Sequence, residues 1–265
     1  MHLDKNRSAT SGKIASRLAK AALGTALLFG VGSMALAQNM VVRSTGPSAG
    51  SYPAGKKMAN DAKVTLKAQD QVTILTKSGT RVLKGPGTYS LAQGGGTASS
   101  ASGRLASFIN NRGSSRARTG AVRSAVGDAV EAPTNPSLWF LDMTKGGKFC
   151  VADPNALVLW RPDYTGSATA SLVEPANGNV TEIAWRKGSA LKAWPKDVLP
   201  VTNGASYRLL GSSVSQSVEV NFVVLESEPA DLADAASVLI ENGCEGQLDL
   251  LVETANADSE GPDQG

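Results

Sequence analysis

Asp153, Asp163, Glu174 and Glu182 follow one another through the second half of the chain. Two such carboxyl groups about 5 to 9.5 Å apart across a cleft would be the pair that hydrolyses a glycosidic bond. Each stands beside a turn signal or on an alternating strand, where acids are usually solvated, so a carboxylate-dependent hydrolase is the least favoured reading. Trp139, Trp160, Trp185 and Trp194, with Tyr164 and Tyr207, gather in the same half. Exposed aromatic faces stack on sugars or peptides, and Arg161 and Arg186 stand where they would bond polar groups beside them. Trp139, Trp160 and Trp185 lie in apolar runs, which assigns them to a core. Trp194, before Pro195 in a polar loop, is the one expected at the surface. Arg112, Arg116 and Arg118 offer forked donors that match phosphate or carboxylate oxygens.

Two further spacings imitate catalytic motifs. Ser189-Ala190-Leu191-Lys192 has the Ser-x-x-Lys form of an acyl-transfer nucleophile, and Lys77-Ser78-Gly79 has the form of its companion element. That chemistry places the nucleophile first and on a helix, whereas here the order is reversed and residue 189 falls in a Gly-flanked turn. Gly50 to Lys57 has the glycine spacing of a phosphate loop, but Lys57 replaces the Ser or Thr that would hold Mg²⁺. The only histidine is His2. With His2 in a leader, the remaining chain has no imidazole for Ser-His-Asp or Cys-His catalysis, and two cysteines are too few for a zinc site. No catalytic residue, metal site or cofactor is assigned, and the chain is read as not an enzyme.

The leader is read from residues 1–37. A basic stretch precedes an apolar run from Ala21 to Leu36, and Ala35-Leu36-Ala37 places small residues before Gln38, the layout of an export signal. The run is shorter than the roughly 20 residues a membrane span needs, so no span is expected after its removal. The product is expected in a periplasm or outside the cell. In that compartment Cys150 and Cys244 are candidates for a disulfide, with two unrelated buried thiols as the alternative.

Beyond the leader, charge is split. Residues 38–125 hold 13 Lys/Arg and 2 Asp/Glu, net +11, and residues 126–265 hold 8 and 20, net −12. Such halves attract when close, and the split coincides with a change of character along the chain. Short strands separated by turn residues fill 38–91. A Gly/Ser/Arg-rich stretch, 92–136, reads as a mobile basic linker containing one short amphipathic helix through Leu105, Phe108 and Ile109. Seven short strands from 137 onward suggest an antiparallel β-sandwich, closed by two short C-terminal helices before residue 255. Residues 256–265 read as a disordered tail.

Within the first strand region, Val64-Thr65-Leu66, Ala68-Gln69-Asp70-Gln71-Val72, Ser78-Gly79-Thr80-Arg81 and Leu83-Lys84-Gly85-Pro86-Gly87-Thr88 resemble the repeating pattern of FecR-like periplasmic β domains. The chain as a whole resembles exported alphaproteobacterial proteins. The resemblance implies a small β domain over about 39–91 and a place in the cell envelope. A cytoplasmic arm and membrane helix, through which such regulators signal, are not expected in this chain. The expectation is therefore a mainly β, exported, non-catalytic interaction or regulatory module that meets an envelope protein through a sheet edge or the Trp194 loop. A glycan or cell-wall-polymer binding protein using exposed aromatics is the alternative. Nucleic acid is excluded as a partner by export.

Overall fold

Alternation of apolar and polar residues writes the first strands directly. The computed structural model describes residues 39–76, 79–92, 101–112, 134–211 and 214–259. The leader, Lys77, Ser78, Arg116, Arg118 and the chain beyond 259 lie outside the described residues. β1 (Asn39–Thr45), β2 (Lys57–Met58), β3 (Lys63–Leu66), β4 (Gln71–Thr76), β5 (Gly79–Lys84) and β6 (Gly87–Ser90) come first. An antiparallel sheet runs in the order β2-β1-β4-β5, and β3 pairs with β6. Val41, Val72, Ile74 and Leu83 pack with Val64 and Leu66 of the β3–β6 pair. Met40, Val42 and Leu75 belong to a different cluster on the opposite face. Successive side chains on a strand point to opposite faces, so one sheet feeds two cores.

Asp70 locks this unit. Its side chain is 2% exposed and accepts the N–H groups of Ser48 and Lys67, while its own carbonyl accepts the N–H of Gly85 at 2.8 Å. Burial by itself pushes the carboxyl up. The Ser48 hydroxyl, the two N–H groups and the Lys67 charge outweigh that and hold it below its ordinary value of 3.8. A carboxyl depressed on folding contributes stability that is complete above its unfolded value and is lost as pH falls through the folded one. Asp70→Asn is therefore expected to melt lower than the native chain near neutrality. Followed by circular dichroism into acid, the gap between the two melting temperatures narrows below about pH 4, as the native carboxyl takes up its proton.

The second β unit contains β7 (Phe140–Asp142), β8 (Gly147–Val151), β9 (Val158–Trp160), β10 (Ala168–Glu174), β11 (Asn179–Trp185), β12 (Leu191–Ala193), β13 (Ser206–Gly211) and β14 (Val214–Val224). A five-stranded sheet, β11-β10-β13-β14-β8, faces a three-stranded one, β12-β9-β7, across a core that includes Leu159, Leu172, Tyr207, Leu209 and Phe222. The mainly β fold with several antiparallel sheets and two short C-terminal helices is as the sequence indicates. Two pairings depart from a wholly antiparallel sandwich: β8 lies parallel to β14 and β7 parallel to β9. The reason is topological. Leaving β7, the chain crosses to the larger sheet as β8 before returning as β9, and such a crossover makes β7 and β9 run the same way.

Three helices complete the structure: α1 (Ala101–Asn110), α2 (Leu232–Asn242) and α3 (Glu245–Ser259). Asp231 caps α2 by accepting the N–H groups of Ala233 and Asp234, and Gly243 ends it in the left-handed conformation at φ 69°. Leu105, Phe108 and Ile109 of α1 pack with Ala235, Ala236 and Leu239 of α2 and with Leu251 and Ala255 of α3. Met40, Val42 and Leu75 of the first sheet join the same cluster, as do Cys150 and Ala152 of the second. The helices therefore form a layer shared by both β units. Within the segment read as a mobile linker, α1 docks by the apolar stripe that its spacing predicts, and residues 93–100 and 113–133 on either side of it lie outside the described residues. Helix α3 also continues to Ser259, four residues into the stretch read as a tail.

Candidate functional site

The disulfide candidates meet. Cys150 on β8 and Cys244, between α2 and α3, are bonded with α-carbons 5.9 Å apart, and both residues are fully buried. The bond fastens the outermost strand of the five-stranded sheet to the helix layer. Three residues on, Gln247 completes the attachment. Its Nε2 donates to the carbonyls of Leu138 and Cys150, each at 3.0 Å, and its Oε1 accepts the N–H of Cys150 at 2.6 Å. The side-chain amide thus takes the place of a neighbouring strand. Gln247→Leu is expected to leave three buried backbone groups without partners, at about 1–3 kcal/mol each before relaxation. Hydrogen exchange at the Cys150 amide, accelerated against the native chain, is the direct readout.

Beside this attachment lies a groove of about 500 Å³. One wall is the outer edge of β7 and β8 with the turn between them, where Lys145, Gly146 and Gly147 precede Lys148. The other is α3, which presents Gly246, Asp249, Leu250 and Glu253. Phe140, Phe149 and Trp160 also line it, although each is 7% exposed or less. Both glycines of the turn are required by their surroundings. A Cβ on Gly146 would stand 2.9 Å from the Glu219 carbonyl oxygen, and Gly147 sits at φ 102° with open space before it. The charges along the groove are mixed. Asp142 accepts the Thr144 N–H and hydroxyl at 2.8 and 2.7 Å, Asp249 pairs with Arg43, and Lys148 Nζ reaches only the Asn242 carbonyl, at 3.5 Å.

The residues singled out for binding are placed elsewhere. Trp194, expected at the surface, is 4% exposed. It donates its Nε1 to the Leu199 carbonyl at 2.7 Å and packs edge-on against Tyr207 and Phe222, so Pro195 turns the chain over a buried ring. Arg161 is also buried, at 2% exposure. Its Nε donates to the Ser189 carbonyl at 2.9 Å, and its Nη2 donates to the carbonyls of Gly166 and Arg186 at 2.7 and 3.2 Å. It is a structural clamp rather than a surface contact. Arg186 remains exposed and contributes only its carbonyl to that clamp. Arg112 is engaged within the chain, paired with Glu228, bonded to the Pro229 carbonyl at 3.2 Å and lying over the Trp139 ring.

Other motifs resolve into local structure. Asp153 and Asp163 each accept a backbone N–H two residues on, and Glu174 accepts the Asn177 amide. Hydrogen bonds from the Thr165 hydroxyl and N–H hold the Asp163 carboxyl below its ordinary range, against the opposing effect of burial and with help from the Arg161 charge. These acids close their own turns, and none of them lines the groove. Lys56 bends back to the Ser51 carbonyl at 2.8 Å, the last residue of a three-residue 3₁₀ turn. All four tryptophans are 5% exposed or less, which removes the faces on which a glycan-binding reading depended. Among the described residues no three His, Cys, Asp or Glu side chains converge as metal ligands would.

The groove was missed in the sequence because its parts are far apart along the chain and individually ordinary. Lys145-Gly146-Gly147-Lys148 is legible as a turn, but nothing in Gln247 or Gly246 marks them as its opposite wall. No protein-family model, curated protein or solved structure matches the chain. The class is therefore defined by geometry: a mainly β protein whose two β units share a helix layer, with an open groove between a disulfide-anchored strand and α3.

Proposed function

We propose that this chain is an exported, non-catalytic module of the cell envelope that works by protein contact through the β8–α3 groove. The observation that carries the reading is the groove itself, where the exposed turn from Lys145 to Lys148 at the edge of β8 and the Gly246, Leu250 and Glu253 side of α3 line one opening. The leader pattern and the FecR-like turn pattern support the envelope as the place, and a buried disulfide fits an oxidising compartment. The partner is an envelope protein, and the Trp194 loop has no part in the contact.

A photo-cross-linking residue at Lys145 in the full chain, expressed in its own cells, is expected to trap a specific adduct. The same residue at Glu182, on the exposed face of β11, is not. Gly246 lines the groove and a Cβ there meets nothing within 4 Å, so Gly246→Trp is expected to fill the site and remove the adduct, with melting temperature as the check on the fold. Equal adducts from both positions, or turnover of a cell-wall substrate by the purified chain with no groove adduct, would overturn the proposal.

A further inference from the structure

We propose that Cys150 is the first thiol of this chain to meet an external disulfide, on the face of β8 that the helix layer later covers. Cys244 then completes the bond as that layer closes. The partner belongs to one chemical class, a dithiol oxidase carrying a reactive disulfide. The inference rests on the export reading above for its location and adds the reaction that must act on the chain before its fold is finished.

The first argument is access. Both cysteines are fully buried in the finished structure. Exchange requires the attacking sulfur to reach a sulfur of the other disulfide, so a partner protein has no approach to either one after closure. The N–H and C=O of Cys150 are taken by Gln247 of α3. Its side chain lies in one cluster with Ala235 and Leu239 of α2 and Leu251 of α3. Each of these covering groups lies on one of the last two helices.

The order of elements supplies the second argument. Gly147 to Val151 of β8 pair with Val220 to Val224 of β14, and α2 begins only at Leu232. Phe149 and Val151 turn into the sandwich core, whereas Cys150 and Ala152 take the opposite face, the one the helices cover. The second β unit therefore completes its larger sheet with the Cys150 thiol on an open face and its partner still to come. Cys244, at the corner between α2 and α3, is delivered by docking to an α-carbon separation of 5.9 Å.

The steps balance. Cys150 gives up its thiol proton and its sulfur attacks one sulfur of the oxidase disulfide, whose other sulfur leaves as a thiolate and takes a proton. Cys244, deprotonated in turn, attacks the Cys150 sulfur of this mixed disulfide and expels the oxidase sulfur. Two thiols of this chain are oxidised, and the oxidase leaves as its dithiol.

The test has an arm in solution and an arm in cells, both with the full chain. Reduced chain is refolded from urea and then given a Cys-x-x-Cys oxidase in its disulfide form, or is refolded with that oxidase present from the start. Bond formation is followed by maleimide gel shift and the helix layer by circular dichroism. Oxidation after folding is expected to be slower by about tenfold or more, because access then requires the layer to open. If the reduced chain leaves its layer open, its lower helical signal shows this, and recovery of the signal on oxidation gives the same order of events. A reduced chain with native helical signal that oxidises as fast as the refolding one would overturn the proposal. In its own cells, acid-quenched Cys244→Ser chain is expected to carry a reductant-sensitive adduct with an exported protein, and Cys150→Ser chain severalfold less. Equal adducts would overturn the first step at Cys150. No adduct from either variant, with the native chain oxidised in the same cells, would overturn the exchange with an oxidase. Native chain recovered reduced from those cells would instead sink the export reading.

Discussion

Replacing Cys150 and Cys244 together by alanine is expected to lower folding stability by about 4–5 kcal/mol, the largest effect of any change considered for this chain. The bond closes a sequence separation of 94 residues, and a cross-link of that span removes a large share of the unfolded chain's freedom. Urea titration of the native and double-alanine chains gives the difference, and a loss below about 1 kcal/mol would contradict the chain-entropy account. The location adds a kinetic expectation. Both cysteines are fully buried, so millimolar dithiothreitol should leave the folded protein oxidised for hours and reduce it promptly once urea has opened the helix layer.

Arg161→Met should produce the second largest loss, about 3–5 kcal/mol, although it exchanges a buried cation for an apolar side chain of similar length. Removing a buried charge can be neutral where its partner is removed with it. Here the partners are main-chain carbonyls of Ser189, Gly166 and Arg186, which stay behind without a donor. Arg161→Lys recovers only part of the loss, because one ammonium cannot reproduce the planar fork that spans the three acceptors. Arg186→Met is the control, since its side chain is exposed, and it should change stability by no more than about 0.5 kcal/mol. Equal effects at 161 and 186, read from urea midpoints, would contradict the clamp.

The contrast between these two arginines shows how much was legible in the sequence. Each follows a tryptophan assigned to the core, and each is expected from sequence to bond polar groups at a binding surface. The pattern gives the ring's burial correctly for Trp160 and Trp185, because alternation within a strand determines which face a side chain takes. It says nothing of whether a flanking arginine turns inward, since that depends on carbonyls brought together by loops at 166 and 189. Trp194 failed for a related reason. A polar loop with proline describes the chain's path and not what the path covers, and Tyr207 and Phe222 were already waiting beneath it. The strands, the two C-terminal helices and the α1 stripe were readable from local periodicity. The meeting of Gln247 and Gly246 with the Lys145–Lys148 turn was not, because their juxtaposition requires the parallel placement of β8 beside β14.

The division of charge found a concrete outcome as well. Arg43 pairs with Asp249 and Arg112 with Glu228, so each ion pair joins the basic half to the acidic one. Exposed pairs of this kind add little stability individually, up to about 1 kcal/mol, but they favour one way of seating the halves over others.

The helix layer imposes an order of events. Two of its three members, α2 and α3, are made last, yet they cover Met40, Val42 and Leu75 near the start of the chain and Cys150 near its middle. As the polypeptide emerges, its first sheet must wait with a bare oily side until residue 255 or so has followed. Assembly therefore closes from the tail end inward, and a chain cut short before α2 would present two sticky sheets at once and be a target for aggregation or proteolysis rather than a smaller working protein.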